Sequence, residues 1–222
     1  MATIGFIGSG NIGGTVARLA AAAGYRVVLS NSRGPQTLAG LAGEIGPLAS
    51  AGTVEQAAEH GDIVVVAVPL RAYRDVPAAP LAGKVVIDAN NYYPQRDGQI
   101  GELDDGSATS SELLQRRLPG ARVVKAFNNI FFKHLLALGR PAGAPDRSAL
   151  LIAGDDADAL KAVTGFLDAI GYDAVESGTL AQSWRQEPGS TVYGGVYGPM
   201  DDPAGTPAGA AALRARIAED RS

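Results

Sequence analysis

The chain has 222 residues, 46% of them hydrophobic, a formal net charge of -4 and a sequence pI of about 5.2. It is long enough to bury a core in one domain, and its charge argues against nucleic acid or an anionic membrane surface as a partner. With no cysteine and only two histidines, His60 and His134, disulfides, thiol catalysis and thiolate metal sites are excluded, and no metal centre is expected.

Thr3-Ile4-Gly5-Phe6-Ile7 reads as a buried strand, and Val16 to Ala23 as an alanine-rich helix ended by Gly24. Between them lies Gly8-Ser9-Gly10-Asn11-Ile12-Gly13. In a strand-turn-helix of this kind the first glycine permits the bend and the second admits a pyrophosphate to the backbone. The third lets helix and strand pack closely, and the helix N-terminus presents free N–H groups to the anion. Gly8, Ser9, Gly10, Asn11, Ile12 and Gly13 are therefore candidate dinucleotide contacts.

The second strand is expected over Tyr25 to Leu29. Its end falls roughly 20 residues beyond the glycines, where NAD enzymes carry an acid for the ribose 2′-hydroxyl. Here stand Ser30, Asn31, Ser32 and Arg33, and no aspartate or glutamate occurs from Met1 to Gly43. A carboxylate would repel a 2′-phosphate, whereas hydroxyls, an amide and a guanidinium donate to it, so NADP(H) is the expected cofactor. The competing reading is an ordinary polar turn after a strand.

Pro35 to Ile45 and Val54 to His60 are expected as helices, followed by a strand in Asp62 to Pro69 that is apolar on both faces. This apolar run is far short of a membrane span, and the N-terminus lacks a basic region followed by a cleavable segment. No membrane partner and a cytoplasmic location are expected. The next strand, Lys84 to Asp88, leads into Ala89-Asn90-Asn91-Tyr92-Tyr93-Pro94 and the longest loop, through Ser107. Thr109 and Glu112 have capping-box spacing before a helix over Leu113 to Leu118, and Arg122 to Ala126 is a strand ending in Phe127-Asn128-Asn129.

Ser148 to Ala153 reads as a further strand, and Leu160, Val163, Thr164 and Leu167 as the core face of a following helix. Asp173 to Ser177 is a final short strand. Gly178 to Pro207 is rich in glycine, proline and aromatics without a period, and fits a substrate lid or dimer contact. Ala208 to Ile217 forms a helix with a fraying charged end. The alternation predicts a Rossmann-type α/β fold: a doubly wound, mostly parallel sheet over residues 1–145, with a small C-terminal α/β extension over 146–222. Ligands bind outside the carboxyl ends of such strands, so Pro69, Asn90 and Asn128 should border one crevice with the glycine turn.

What is missing narrows the chemistry. None of Tyr73, Tyr92, Tyr93 or Tyr193 has a lysine four residues on, which removes the Tyr-x-x-x-Lys pair of short-chain dehydrogenases. Too little chain follows Ala126 for the large helical domain of hydroxyacid dehydrogenases and pyrroline carboxylate reductases.

The residues resemble the NADP oxidoreductases that depend on the deazaflavin coenzyme F420. The resemblance rests on Ile4 to Gly13, Asn31-Ser32-Arg33, Val66-Ala67-Val68-Pro69, Asp88-Ala89-Asn90-Asn91, Val124-Lys125-Ala126-Phe127-Asn128 and Gly154-Asp155-Asp156. It implies a homodimer that passes hydride between NADP(H) C4 and the deazaflavin C5. Such a reaction needs stacked rings and excluded water more than a catalytic side chain, so no catalytic residue is expected. Asn90, Asn91, Ala126 and Asn128 are then placed near the nicotinamide and its ribose, Val68 and Pro69 along the adenosine side, and Asn129, Phe131 and Trp184 against the acceptor. Flavins, quinones or metal chelates are alternative small-molecule acceptors, and a non-catalytic NADP(H) sensor using the aromatic tail is a reading of a different class.

Trp184 fits an acceptor wall or an interface or core position equally. His134 is expected on a helix surface and His60 in a structural role. Asp88 is expected to cap its turn, Asp155-Asp156 and Asp201-Asp202 to be solvated or capping acids, and Arg116, Arg117 and Lys125 to form a charged face rather than an anion site.

Overall fold

In the computed structural model, which describes residues 1–219, the sheet has eight strands among the described residues: β1 (Thr3–Ile7), β2 (Arg26–Ser30), β3 (Ala49–Ala51), β4 (Ile63–Val66), β5 (Val85–Asp88), β6 (Arg122–Lys125), β7 (Ala149–Gly154) and β8 (Asp173–Gly178). Their order is β3-β2-β1-β4-β5-β6-β7-β8. Neighbours from β3 to β6 pair in parallel, β7 runs antiparallel to β6, and β8 is parallel to β7. The expected doubly wound sheet is observed, and the strand order reverses between β1 and β4, the position where such sheets bind ligands. The sheet continues unbroken past residue 145 through β7 and β8.

The helices are α1 (Asn11–Ala22), α2 (Ala39–Ile45), α3 (Val54–His60), α4 (Pro94–Asp97), α5 (Gly101–Asp104), α6 (Ser110–Arg117), α7 (Phe132–Ala137), α8 (Ala157–Ala169) and α9 (Ala210–Glu219). The central strands bury both faces because their side chains alternate between two layers. Val65, Val85, Ile87 and Val124 join Val16, Ala17 and Ala20 of α1 and Val163 and Leu167 of α8. Val64, Val66, Val86 and Val123 join Ala58 of α3 and Leu113 and Leu114 of α6. Both-face apolarity is what a helix layer on each side of a parallel sheet requires.

Several boundaries differ from the sequence expectation. Helix α1 starts at Asn11, five residues before Val16, because the glycine turn is itself the helix N-terminus, with Gly14 N donating to Gly10 O at 2.7 Å. Pro35 to Ile45 splits into a 3-10 turn at Pro35–Leu38 and α2, since Pro35 supplies no N–H and Gly40 and Gly43 weaken a continuous helix. Strand β3 is absent from the sequence reading: Ala-Ser-Ala has no β-branched residue, and only its pairing with β2 creates it. The long loop after β5 contains the one-turn helices α4 and α5. The capping box is present, with Thr109 accepting from Glu112 N and Glu112 accepting from Thr109 N, but the helix begins directly after it at Ser110. On α8, Val163 and Leu167 are core and Leu160 is half-buried, while Thr164 faces solvent and Phe166 takes the core position instead. Helix α9 is in place, and residues 220–222 of its expected fraying end lie outside the described residues. Among the described residues no helix is long and apolar enough to cross a membrane.

Candidate active site

The crevice starts at the end of β1. Gly8 has a positive φ of 98°, and a Cβ there would sit 2.2 Å from Ala67 O, so only glycine lets β1 turn this close to the end of β4. A Cβ on Gly13 would meet Gly8 O at 2.0 Å, which fixes the close approach of α1. Gly10 faces open space: a Cβ would have no neighbour within 4 Å. Gly10 caps α1 without a side-chain hydrogen bond, leaving the first-turn N–H groups free for an anion. The turn is anchored to β2, since Ser30 O accepts from Gly8 N at 3.1 Å and from Ser9 Oγ at 3.0 Å.

Beyond the turn, Gly8, Ser9 and Gly10 share a pocket of about 280 Å³ with Asn31, Ser32, Arg33, Val68, Pro69 and Asp75. Asn31 Oδ1 accepts from Arg33 N at 2.9 Å, and its amide donates to Thr37 Oγ1 at 2.9 Å, so this side chain shapes the loop. Ser32 and Arg33 are exposed at its rim. Ser30, an expected contact, is fully buried, and its hydroxyl donates to Phe6 O at 2.7 Å; its service is to the turn, through its carbonyl.

Ala67, Val68 and Pro69 join this pocket to a second cavity of about 690 Å³, lined by Asn11 and Ile12 and by residues following β5, β6 and the C-terminal segment. Asn90, Asn91, Asn128, Asn129 and Phe131 come together here as the sequence suggested. Asn90 is held on three sides: its N–H donates to Asp88 Oδ1 at 2.9 Å, its Oδ1 accepts from Val68 N at 2.9 Å, and its carbonyl accepts from Lys125 Nζ at 3.1 Å. Its Nδ2 has no partner, and neither has Asn128 Oδ1, although both atoms are buried. Both residues line the cavity, and an unpaired donor and an unpaired acceptor are the groups that pair with the carbonyl and the amino group of a primary amide. The donor set therefore fits a nicotinamide carboxamide, as the open glycine cradle fits a pyrophosphate.

Asn128 owes its place to Phe127, the one non-glycine residue with positive φ (67°) among the described residues. The left-handed turn is held by a buried ring packed edge-on against Phe166 with centroids 6.3 Å apart. Ala126 is fully buried and uses its N–H on Asp88 O at 3.0 Å, so it contributes strand backbone rather than a cavity surface.

Lys125 is fully buried, not part of a charged surface, because four partners surround its ammonium: Ser110 Oγ at 2.8 Å, Asn90 O at 3.1 Å, and Asp88 Oδ2 and Glu187 Oε1 at 3.5 Å each. Asp88 caps its turn as expected and also accepts from Ser111 Oγ at 2.6 Å. This cluster ties the ends of β5 and β6, the start of α6 and the C-terminal segment into one floor under the asparagines. Arg116 is exposed and paired with Glu102, and half-buried Arg117 donates to Arg74 O at 2.8 Å. Asp156 caps α8 and Asp155 Oδ1 accepts from Leu180 N.

Two placements differ from expectation. Trp184 is 43% exposed and lies outside the cavity lining, its ring covered by the Arg185 guanidinium instead. His134 is buried, not on a helix surface, because the C-terminal segment folds over α7 and Asp202 O meets its Nε2 at 2.8 Å. Conversely, Tyr93, Arg96, Tyr193 and Met200 line the cavity without having been singled out as contacts. The available signal was the pair of tyrosines just past the β5 end and the aromatic richness of Gly178 to Pro207.

A dinucleotide turn at the β1/β4 switch point, a β2 end that carries Ser32 and Arg33 in place of an acid, and an amide-lined cavity define an NADP-binding Rossmann oxidoreductase. The family model described as NADP oxidoreductase, coenzyme F420-dependent, matches residues 3–92. The F420-dependent NADP reductase of Methanothermobacter thermautotrophicus is 31% identical over 190 residues, covering 78% of this chain and 79% of that protein. The chain belongs to the family of F420-dependent NADP oxidoreductases. The crystal structure of the hypothetical protein SMa0349 from Sinorhizobium meliloti superposes with a TM-score of 0.75 at 30% identity, covering 87% of this chain and 93% of that one. The 3-hydroxyisobutyrate dehydrogenase of Mycobacterium tuberculosis shares the fold at 19% identity and a TM-score of 0.59, over 82% of this chain and 56% of its own.

Proposed function

We propose that this chain transfers hydride between NADPH C4 and C5 of the deazaflavin coenzyme F420, as a cytoplasmic homodimer. The observation that carries the reading is the continuity of the crevice: Ala67, Val68 and Pro69 border both the pocket of Ser32 and Arg33 and the cavity of Asn90 and Asn128. Family membership supports F420 as the partner.

NADPH, when bound, supplies the hydride. The free N–H groups at the start of α1 hold its pyrophosphate, and Arg33 with Ser32 and the Asn31 loop holds the 2′-phosphate. Asn90 Nδ2 and Asn128 Oδ1 orient the carboxamide, and Ile12, Ile130, Phe131 and Phe132 keep water from the reacting faces. The acceptor takes the remaining space beside Asn129, Phe131 and the tyrosines. Residues 146–222 complete that space through Tyr193, Gly194 and Met200.

The test is a spectrophotometric assay of purified protein with NADPH or NADH, offered F420 and, separately, free flavin, a quinone and a ferric chelate. Loss of the deazaflavin absorbance with NADPH and not NADH is the expected result. Turnover of another acceptor alone would reassign the second substrate, and tight NADPH binding without turnover would make the protein a sensor.

A further inference from the structure

We propose that Tyr93 is the hydrogen-bond and proton donor to the hydride acceptor, aimed by a one-way chain of hydrogen bonds running from Asn128 through Asn91 and Tyr193. The proposal rests on the oxidoreductase reading and adds a catalytic residue to it.

Backbone carbonyls set the direction of the asparagine links. Asn128 Nδ2 gives its two to Asn91 Oδ1, at 3.0 Å, and to Gln186 O. That fixes the orientation of the Asn91 amide, whose Nδ2 donates to Asn128 O at 2.7 Å and to Tyr193 Oη at 3.3 Å. Tyr193 Oη and Tyr93 Oη share a hydrogen bond in which either can donate; the proposed chain has Tyr193, which already accepts from Asn91, giving its hydrogen to Tyr93. The Tyr93 hydrogen is then the one proton of the chain with no acceptor among the described residues, and Tyr93 lines the same cavity as Asn90 and Asn128.

Two further features suit the role. Burial pushes the Tyr193 phenol above its ordinary pKa, and its bond to Tyr93 acts in the same direction, so Tyr193 stays protonated and keeps donating. The Arg96 guanidinium lies over the Tyr93 ring, 4.8 Å from its centroid, and is fixed by Asn91 O at 2.7 Å and Asp97 at 2.8 Å. It holds a positive charge against the ring that gives up a proton.

The step balances. The C4–H bond of NADPH breaks with its electron pair and a C–H bond forms on the acceptor ring, which gains two electrons. The displaced pair settles on a ring nitrogen or carbonyl oxygen, which takes the proton from Tyr93 Oη. Half-buried Tyr93 recovers its proton from solvent, with Tyr193 donating to its oxygen meanwhile.

The test compares wild type with Tyr93→Phe and Tyr193→Phe in three measurements. NADP⁺ affinity should stay within twofold in both variants. F420 affinity for the NADP⁺-loaded protein, followed by deazaflavin fluorescence, should weaken about 5–10-fold in Tyr93→Phe, as for one lost hydrogen bond. The F420 reduction rate should fall by about 10²-fold or more in Tyr93→Phe, with loss of the solvent isotope effect, and by about 10-fold in Tyr193→Phe, which keeps the terminal donor. An active wild type whose Tyr93→Phe variant keeps its rate, isotope effect and F420 affinity overturns the proposal alone. A wild type that binds NADPH yet neither binds nor reduces F420 or flavin overturns the proposal together with the functional reading.

Discussion

The two halves of the crevice are built by different means. The proposed cofactor half, from Gly8 to Arg33, is contiguous backbone: a turn, a helix start and a loop within 26 residues of one another. The proposed acceptor half draws side chains from the ends of β5 and β6, from α4 and from a C-terminal segment, joined by bonds between residues up to 102 positions apart. The first is specified by local conformation and the second by a hydrogen-bond network, so substitutions should fail in different ways. In the cofactor half, binding and folding separate residue by residue; in the acceptor half they are coupled through the buried floor.

The sharpest break of that coupling is Lys125→Met. It leaves the Asp88 and Glu187 carboxylates in the floor without their cation, and should cost about 3–5 kcal/mol of stability in a denaturant titration. A loss below 1 kcal/mol would mean the floor is not held by this cluster. The glycine turn offers the opposite case. Gly8→Ala, with positive φ and a carbonyl oxygen at 2.2 Å, should lose about 2–4 kcal/mol of stability. Gly10→Ala, whose new methyl meets open space, should fold within about 0.5 kcal/mol of wild type while weakening NADPH binding roughly tenfold or more.

Arg33→Ala should leave folding untouched and weaken NADPH binding by roughly 1.5–3 kcal/mol, the value of a charge-assisted bond, with NADH affinity unaltered. Equal NADPH affinity in the variant would remove Arg33 from the 2′-site. The smallest expected effect concerns Asp97. Burial raises its pKa, but bonds from the Arg96 side chain and the backbone N–H groups of Tyr93 and Arg71 outweigh this and hold it below the ordinary carboxylate value. A depressed folded pKa means the stabilisation is complete above about pH 4 and is lost as pH falls through the lower folded value. Asp97→Asn should thus cost under about 1 kcal/mol at pH 7, with the difference from wild type shrinking below pH 4. A difference constant across that range would show that the charge of Asp97 contributes nothing.

Legibility in the sequence followed the same division. The parallel order, the glycine turn, the acid-free end of β2 and the asparagines at strand ends all declare themselves within a few residues, because strand period, turn chemistry and charge are local properties. Boundaries failed where local preference was weak: β3 has no β propensity of its own, and α1 absorbed the glycines because an anion site is a helix start. Ser30 illustrates the limit within the readable half, since its place in the sequence suits a phosphate donor but the strand pleat turns its hydroxyl onto Phe6 O. His134 is covered and Trp184 stays off the cavity wall because the path of an aperiodic segment decides what each of them meets.

The sequence by itself determined the fold class, the glycine turn and the family, since each rests on short stretches whose spacing carries its own physical meaning. Only the tertiary structure decided that Lys125 is buried between two carboxylates, that Phe127 turns Asn128 into the crevice, and that Tyr93 and Tyr193, 100 residues apart, share a hydrogen bond. The reason is that burial and hydrogen-bond partnership are properties of pairs, and pairs distant in the chain are set by how layers pack.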